Sequence, residues 1–313
     1  MSHNVNSMMY VGEKPWHGLG TKVESAVTSA EAITKAGLDY AVEKKPIYIS
    51  GGVEVPNHYA TVRTDTNDAL GVVGKKYTIL QNKDAFRFFD GIVGVKEAMY
   101  QTAGALGVGE KIWLLAKLPG YVQTVKDDIT EKYLLLANSH DGSGSVQIMF
   151  TPIRVVCQNT LNVGIQSGSN KIKLRHTASI GTRIDEVRET LGVVNHMFTT
   201  FEEASKKLAT VQLTGEAWKN YLKNSGVIPD ADSQDQSTRA KNIMQDVSLL
   251  FESGKGTEIA GVRGTAWGAF NAVTEYVDHH RGGSNPEKRA ESLLYGSGAN
   301  LKMEAWTQAL KLV

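Results

Sequence analysis

Positive charge is concentrated in the segment from Gly142 to Ile184. The segment contains no Asp or Glu, although the whole chain has 33 acidic residues against 34 Lys and Arg. Its basic residues and their neighbouring imidazole are Arg154, Lys171, Lys173, Arg175, His176 and Arg183. A positive surface without local carboxylates suits a polyanion, because each phosphate neutralised by Lys or Arg releases condensed counterions. The alternative is a buried strand-and-helix region that lacks acids, with its basic residues solvated at the edge.

The run Lys171-Ile-Lys-Leu-Arg175 alternates charged and apolar side chains, which predicts a β-strand. In a strand, Lys171, Lys173 and Arg175 would lie on one face, in a row of roughly 13 Å. A row of cations at this spacing can follow a phosphate backbone. We therefore predict that this strand carries the main contacts to a nucleic acid.

A second group of basic residues precedes this segment. Arg63 lies on one predicted strand, and Lys75, Lys76 and Tyr77 lie on the next. Cations beside an aromatic ring on a sheet suit single strands, because bases stack on the ring while phosphates meet the charges. The alternative is an ordinary polar sheet face.

The sequence predicts no catalytic residue, metal site or cofactor. His140 and Asp141 are adjacent, so in a strand they would point to opposite faces, and no third partner has ligand spacing. Cys157 falls among apolar residues and is expected in the core. Asp278-His279-His280 closes a predicted helix, where histidines favour the negative end of the helix dipole. The phosphate-binding loop Gly-x-x-x-x-Gly-Lys-Ser/Thr is absent.

The first half of the chain reads as a β-rich α+β arrangement. A helix beginning at the capping box Thr28-x-x-Glu31 precedes three strands, and Asn82 is expected to cap a second helix. The predicted strands are Tyr40–Ile49, His58–Thr64 and Ala69–Leu80, followed by Thr102–Leu106, Lys111–Leu118, Lys132–Ser139 and Ser145–Thr151. The first elements therefore form a helix, a three-strand antiparallel meander and a helix.

The second half reads as mostly helical. Thr151-Pro152 predicts a helix start, with Ile153, Val156, Cys157, Leu161 and Ile165 on one face. A heptad pattern then predicts a long amphipathic helix over residues 183–209, which packs within the chain or against another subunit. Shorter helices are expected at Arg239–Ser253, Thr265–Arg281, Pro286–Leu294 and Leu301–Leu312. We predict a β-rich α+β domain with an N-terminal arm over residues 1–181 and a helical region over residues 182–313.

Composition is that of an ordinary globular protein. Of 313 residues, 41% are hydrophobic and 21% charged, and the formal net charge is +1. One cysteine excludes an internal disulfide. No apolar run approaches the roughly 18–20 residues that span a bilayer, and the N-terminus lacks a secretory pattern. We therefore expect a cytoplasmic protein.

Several motifs together resemble the phage/plasmid-like protein family, catalogued as domain of unknown function 932. They are Gly12-Glu-Lys-Pro-Trp-His-Gly-Leu-Gly20, Tyr77-Thr-Ile-Leu-Gln-Asn82, Asn138-Ser-His-Asp-Gly142, Arg154-Val-Val-Cys-Gln-Asn-Thr-Leu-Asn162, Arg175-His-Thr177 and Thr265-Ala-Trp-Gly-Ala-Phe-Asn-Ala-Val-Thr-Glu-Tyr-Val-Asp278. The resemblance spans nearly the whole chain and implies a protein of phages, prophages and plasmids in a bacterial host, with no chemistry to transfer. The helix–meander–helix order also resembles, in topology only, the core of phage single-strand annealing recombinases.

These observations favour a non-enzymatic protein that binds and anneals single-stranded DNA as a homo-oligomer, a ring or a filament. The 183–209 helix would be the candidate subunit contact. Two alternatives stay open. One is an interaction or structural protein of the mobile element, for instance one that blocks a host factor. The other is an enzyme with an unrecognised site, using His17, His140 or His176.

Overall fold

The computed structural model describes residues 5–11, 20–24, 28–93, 99–157, 159–160, 171–182, 191–229, 237–281, 292–293 and 296–313. The chain forms two compact units. The first contains residues 1–119, 133–149 and 171–193, and the second contains residues 120–132, 150–170 and 194–313. The sequence predicts one boundary after residue 181, whereas the two units interleave along the chain.

The strands and helices follow one another in an order that confirms the predicted class. They are β1 (Val5–Val11), β2 (Thr21–Val23), α1 (Ser29–Lys35), β3 (Val42–Ile49), β4 (Val53–Arg63), β5 (Ala69–Gly74), α2 (Asn82–Val93), β6 (Met99–Leu106), β7 (Lys111–Gln123), β8 (Ile129–Ser139), β9 (Val146–Phe150), β10 (Ile153–Arg154), β11 (Asn159–Thr160), β12 (Lys171–Leu174), α3 (Leu191–Leu208), α4 (Gly215–Asn224), α5 (Thr238–Ser253), α6 (Ala266–Glu275), the π-helical turn Tyr276–His280, and α7 (Ser297–Leu310). The fold is α+β, with a β-rich first half and a mostly helical second half.

The strands form two sheets. In the larger sheet the order is β11–β10–β8–β7–β6–β1–β2, and β9 pairs with β8 and with β12. Strands β1 and β2 are parallel, and β6 is antiparallel to both β1 and β7. In β8, Leu134, Leu135 and Leu136 are all buried, so both faces of this strand are covered. The smaller sheet is the predicted antiparallel meander β3–β4–β5. The predicted helix–meander–helix order is therefore confirmed.

The capping box at the start of α1 is also present. The Glu31 amide donates to Thr28 Oγ1, and the Thr28 amide donates to Glu31 Oε2 at 3.0 Å. The third meander strand is shorter than predicted, because its ladder with β4 ends at the pair His58–Gly74. Lys75, Lys76 and Tyr77 consequently lie in and after a turn beyond the strand, not on it.

The second unit is built around aromatic side chains from its helices. Phe201 of α3 lies 5.4 Å from Trp306 of α7 and 6.0 Å from Trp267 of α6, between ring centroids. All residues of α6 are buried, including the polar Asn271, Thr274 and Glu275. Phe198, Phe201 and Leu208 are buried too, so the described part of the predicted amphipathic helix uses these seam residues for packing within the chain.

The predicted helix beginning at Thr151-Pro152 is wrong. Ile153 and Arg154 form β10, which pairs with Glu131 and Thr130 of β8 and with the two residues of β11. A turn follows at residues 155–157. Cross-strand pairing therefore overrides the local helical pattern. Cys157 is buried, as expected.

Part of the predicted secondary structure lies outside the described residues: the glycine-rich arm at residues 12–19, the start of the long helix at residues 183–190, and most of the Pro286–Leu294 helix. Among the helices that are described, none combines the length and the apolar character required to cross a lipid bilayer.

Candidate nucleic-acid interface

Two segments that are far apart in the sequence meet in the first unit. The Thr78 amide donates to the His176 carbonyl oxygen at 3.0 Å, and His176 Nδ1 lies 3.0 Å from the Thr78 carbonyl oxygen. This pairing stacks the rings of Tyr77 and His176, with centroids 4.5 Å apart and planes 19° apart. The segment after β5 and the segment after β12, which the sequence predicts as separate contributors to one surface, therefore adjoin.

Exposed cations directly precede both residues of this ring stack. Lys75 and Lys76 directly precede Tyr77, and Arg175 directly precedes His176. The alternation predicted for β12 holds where side chains are described, because Lys173 and Arg175 are exposed while Leu174 is buried. Lys171 pairs with Met149 through its backbone.

Lys44 of β3 belongs to the same surface. Its Nζ donates to the carbonyl oxygens of Lys75 at 3.2 Å and Tyr77 at 2.8 Å, and lies 5.3 Å from the Tyr59 ring centroid. We define the basic patch as Lys44, Lys75, Lys76, Lys173 and Arg175. Within the part of the chain that the structure describes, none of these five side chains forms an ion pair with a carboxylate. Among the described residues, no direct ion pair therefore neutralises the charge of the patch.

Arg63 and Arg154, two predicted phosphate contacts, are buried instead. Arg63 forms a two-bond ion pair with Asp65, donates to the Val108 carbonyl oxygen at 2.8 Å, and lies 3.9 Å from the Tyr40 ring centroid. Its exposed fraction is 6%. This position removes Arg63 from the side chains that can reach a phosphate.

Arg154 lies in the second unit and is fully buried. Its Nε and Nη2 donate to the two carboxylate oxygens of Asp128 at 2.7 and 3.0 Å, and Trp267 Nε1 donates to Asp128 Oδ2 at 2.7 Å. Two parallel bonds to one carboxylate are the strong geometry for arginine. Arg154 is thus a structural residue and leaves the predicted interface. Arg183, also predicted there, lies outside the described residues.

The loop after β8 is held against the meander behind Tyr77. The Tyr77 hydroxyl donates to the Ser139 carbonyl oxygen at 2.7 Å. A Cβ at Gly71 of β5 would lie 2.5 Å from Asp141 Cα, so only glycine permits this close approach. Burial opposes ionisation of Asp141, but hydrogen bonds from Ser139 and Ser143 outweigh it and hold the pKa of Asp141 below its usual value.

His140 is fully buried, whereas Asp141 is only partly buried. Both residues follow β8, which ends at Ser139, so the argument from strand alternation does not apply to them. His140 Nε2 lies 2.8 Å from Asn82 Oδ1, and the His140 backbone amide donates to the Glu110 carbonyl oxygen at 2.7 Å. Burial, and then the nearby His176, lower the pKa of His140 to about 4. His140 is therefore a neutral imidazole near pH 7. Asn82 does not cap α2 as predicted, because its side chain bonds His140 and the Leu38 carbonyl oxygen.

Sequence reasoning missed Lys44, Asn82 and Asn138 as parts of this region. Lys44 falls on a predicted strand, but nothing in its local sequence indicates its contacts with the carbonyl oxygens of Lys75 and Tyr77. The amides of Asn82 and Asn138 belong to motifs quoted for the family resemblance, but nothing in their local sequence indicates that both side chains are buried beside His140.

Tyr40 provides a pH test of this packing. Burial raises the pKa of its hydroxyl from 10.0 to about 12, and the hydroxyl donates to the Gly109 carbonyl oxygen at 2.8 Å. The unfolded chain loses this proton above pH 10.0, whereas the folded chain keeps it to about 12, so the stabilisation is complete below pH 10.0 and is lost above it. From about pH 9 to about pH 11.5, the free energy of unfolding should fall about 1–2 kcal/mol more in the wild type than in Tyr40→Phe. Urea unfolding at both pH values measures the difference, and parallel losses in the two chains would contradict it.

A family model described as a domain of unknown function, number 932, matches residues 69–298. No curated protein and no solved structure matches the chain. The matched range includes Tyr77, the loop at His140, β12 and Arg175.

Proposed function

Because the chain belongs to the domain of unknown function 932 family, whose description gives no activity, we propose a function from its geometry: the protein binds single-stranded DNA on the basic patch and promotes annealing as an oligomer. One observation carries the proposal. The Tyr77–His176 ring stack lies among five exposed cations that have no carboxylate partner in the described part of the chain. Rings and cations side by side are the two components that sequence-tolerant binders of single strands use.

In the proposed mechanism the cations hold the phosphates and a base packs on the half-buried Tyr77. Duplex DNA presents phosphates without accessible base faces, so the aromatic component favours a single strand. A strand held by its backbone keeps base edges available for pairing, which is the condition for annealing. In an oligomer, the basic patches of neighbouring subunits would together hold a longer stretch of the strand.

Tyr77 tests the stacking component separately from charge. Tyr77→Leu removes the aromatic face and should weaken binding of a labelled single-stranded oligonucleotide by roughly 5- to 100-fold, the range expected for one stacked base. Tyr77→Phe keeps the ring and loses only the hydroxyl that donates to Ser139, so it is the matched control and should bind like the wild type. Fluorescence anisotropy measures both affinities.

Equal affinities of the Leu and Phe variants would remove Tyr77 from the proposal. A strand-annealing assay with complementary labelled oligonucleotides tests the second step. The proposal predicts faster annealing with the wild type than with buffer and a smaller acceleration with Tyr77→Leu. Tight binding without any acceleration of annealing would limit the function to binding.

A further inference from the structure

Four buried polar atoms in the described part of the first unit have no hydrogen-bond partner: Gln147 Oε1, His140 Nδ1, His176 Nε2 and Asn138 Oδ1. The last three belong to residues of one region. The exposed fractions of these residues are 0%, 8% and 2%. Buried polar atoms are almost always partnered in folded proteins, so three such atoms in one region indicate a partner other than the described residues.

In each histidine, the hydrogen bond made by one ring nitrogen shows which nitrogen carries the hydrogen and which has a lone pair. His176 Nδ1 faces the Thr78 carbonyl oxygen at 3.0 Å, so Nδ1 carries the hydrogen and Nε2 has a lone pair. Asn82 is oriented by donating Nδ2 to the Leu38 carbonyl oxygen at 3.0 Å, which leaves its Oδ1 to accept from His140 Nε2. His140 Nδ1 therefore also has a lone pair. Histidines that ligate metals are held in this way, with the second nitrogen donating to a protein acceptor.

The three residues are close neighbours. Asn138 Nδ2 lies 3.5 Å from His140 Nε2 and 3.3 Å from the Leu80 carbonyl oxygen. His176 is bonded to Thr78, two residues before Leu80, and two residues of chain span at most about 7 Å.

A single partner shared by these three atoms must interact favourably with three lone pairs. A water molecule has two hydrogens and would leave one atom unsatisfied, whereas a cation satisfies all three lone pairs. Imidazole nitrogens select late first-row transition ions over magnesium and calcium. Three protein ligands with a solvent molecule are a usual zinc environment. We propose that His140, His176 and Asn138 bind one divalent transition-metal ion of the zinc class.

The site differs from a carboxylate or cysteine site. No group of three or more His, Cys, Asp or Glu side chains suitable for a metal occurs among the described residues, so the third ligand is the Asn138 amide oxygen. Because His176 also stacks on Tyr77, a bound ion would fix the position of that ring stack. The inference stands whether or not the protein binds DNA, since it rests on the buried acceptors alone.

Titration of chelator-treated full-length protein with Co²⁺ alone, followed by its visible absorption, tests the site. The wild type should bind one ion per chain with a spectrum of nitrogen and oxygen ligation, and Zn²⁺ should displace it. His140→Gln and His176→Gln should each weaken binding at least about tenfold. His58→Gln removes an exposed imidazole as the matched control and should change nothing. Asn138→Asp supplies a charged ligand oxygen and should tighten binding.

If a histidine variant does not fold, the titrations of the wild type and of Asn138→Asp still test whether the metal site exists. Absence of Co²⁺ and Zn²⁺ binding at millimolar concentration would overturn the proposal. Binding that survives both histidine substitutions, or that disappears with His58→Gln, would overturn it as well.

Discussion

Replacing Arg154 by Met should lower the free energy of unfolding by about 3–5 kcal/mol, the usual cost of leaving one partner of a buried ion pair without the other. Asp128 would keep the Trp267 hydrogen bond but lose both guanidinium bonds, with neither side chain of the pair exposed to solvent. The carbonyl oxygens of Lys255 and Gly256 would also lose their donor. Urea unfolding followed by circular dichroism measures the loss.

The double variant Asp128→Asn/Arg154→Met is the matched control. It removes both charges while keeping an acceptor for Trp267, and should recover at least about half of the lost stability. An Arg154→Met chain that is as stable as the wild type but binds single-stranded DNA less tightly would contradict the structural role. Such a result would return Arg154 to the interface that its sequence context first indicated.

Reversing the two described charges at the end of β12 should have the largest effect on DNA binding. Lys173→Glu/Arg175→Glu removes two exposed cations and places two carboxylates beside the Tyr77–His176 stack. Loss of two phosphate contacts and the new repulsion should reduce affinity for single-stranded DNA at least about 100-fold at low salt. Fluorescence anisotropy with a labelled oligonucleotide measures the change.

A control variant with the same net charge as Lys173→Glu/Arg175→Glu distinguishes an effect of the basic patch from an effect of total charge. Lys219→Glu/Lys241→Glu changes two exposed lysines on helices of the second unit by the same total charge. This variant should bind DNA within about threefold of the wild type, because neither lysine belongs to the basic patch and exposed charges that contact no phosphate are screened by salt. Equal losses in the two double variants would show that net charge, not the basic patch, controls binding.

Much of the fold follows from local sequence patterns. The alternation of apolar residues between Tyr40 and Gly74 predicts the meander, and the capping box at Thr28 fixes the start of α1. These features are local, since a hairpin ladder and a helix cap need only nearby residues. The helix expected at Thr151 fails for the opposite reason. Its first residues pair with β8, some twenty residues earlier, and no local pattern reports such a partner.

The candidate site was predictable only in part. The exposure of Lys173 and Arg175 follows from strand alternation, but the contact between Tyr77 and His176 joins residues 99 positions apart. The absence of acids from Gly142–Ile184 indicated a positive surface, yet Asp128, outside that segment, neutralises Arg154. Buried ion pairs are formed by whichever carboxylate the fold brings close. A local count of charges therefore identifies cations without showing which of them stay exposed.

The salt dependence of single-stranded DNA binding by the wild-type chain tests the central claim most directly. If the five cations of the basic patch hold phosphates, the logarithm of the binding constant should fall with the logarithm of salt concentration with a slope of about −3.5, from roughly 0.7 per contact. Anisotropy titrations over a salt series give this slope. A chain that binds no single-stranded DNA at low salt, or whose affinity does not change with salt, would contradict the account.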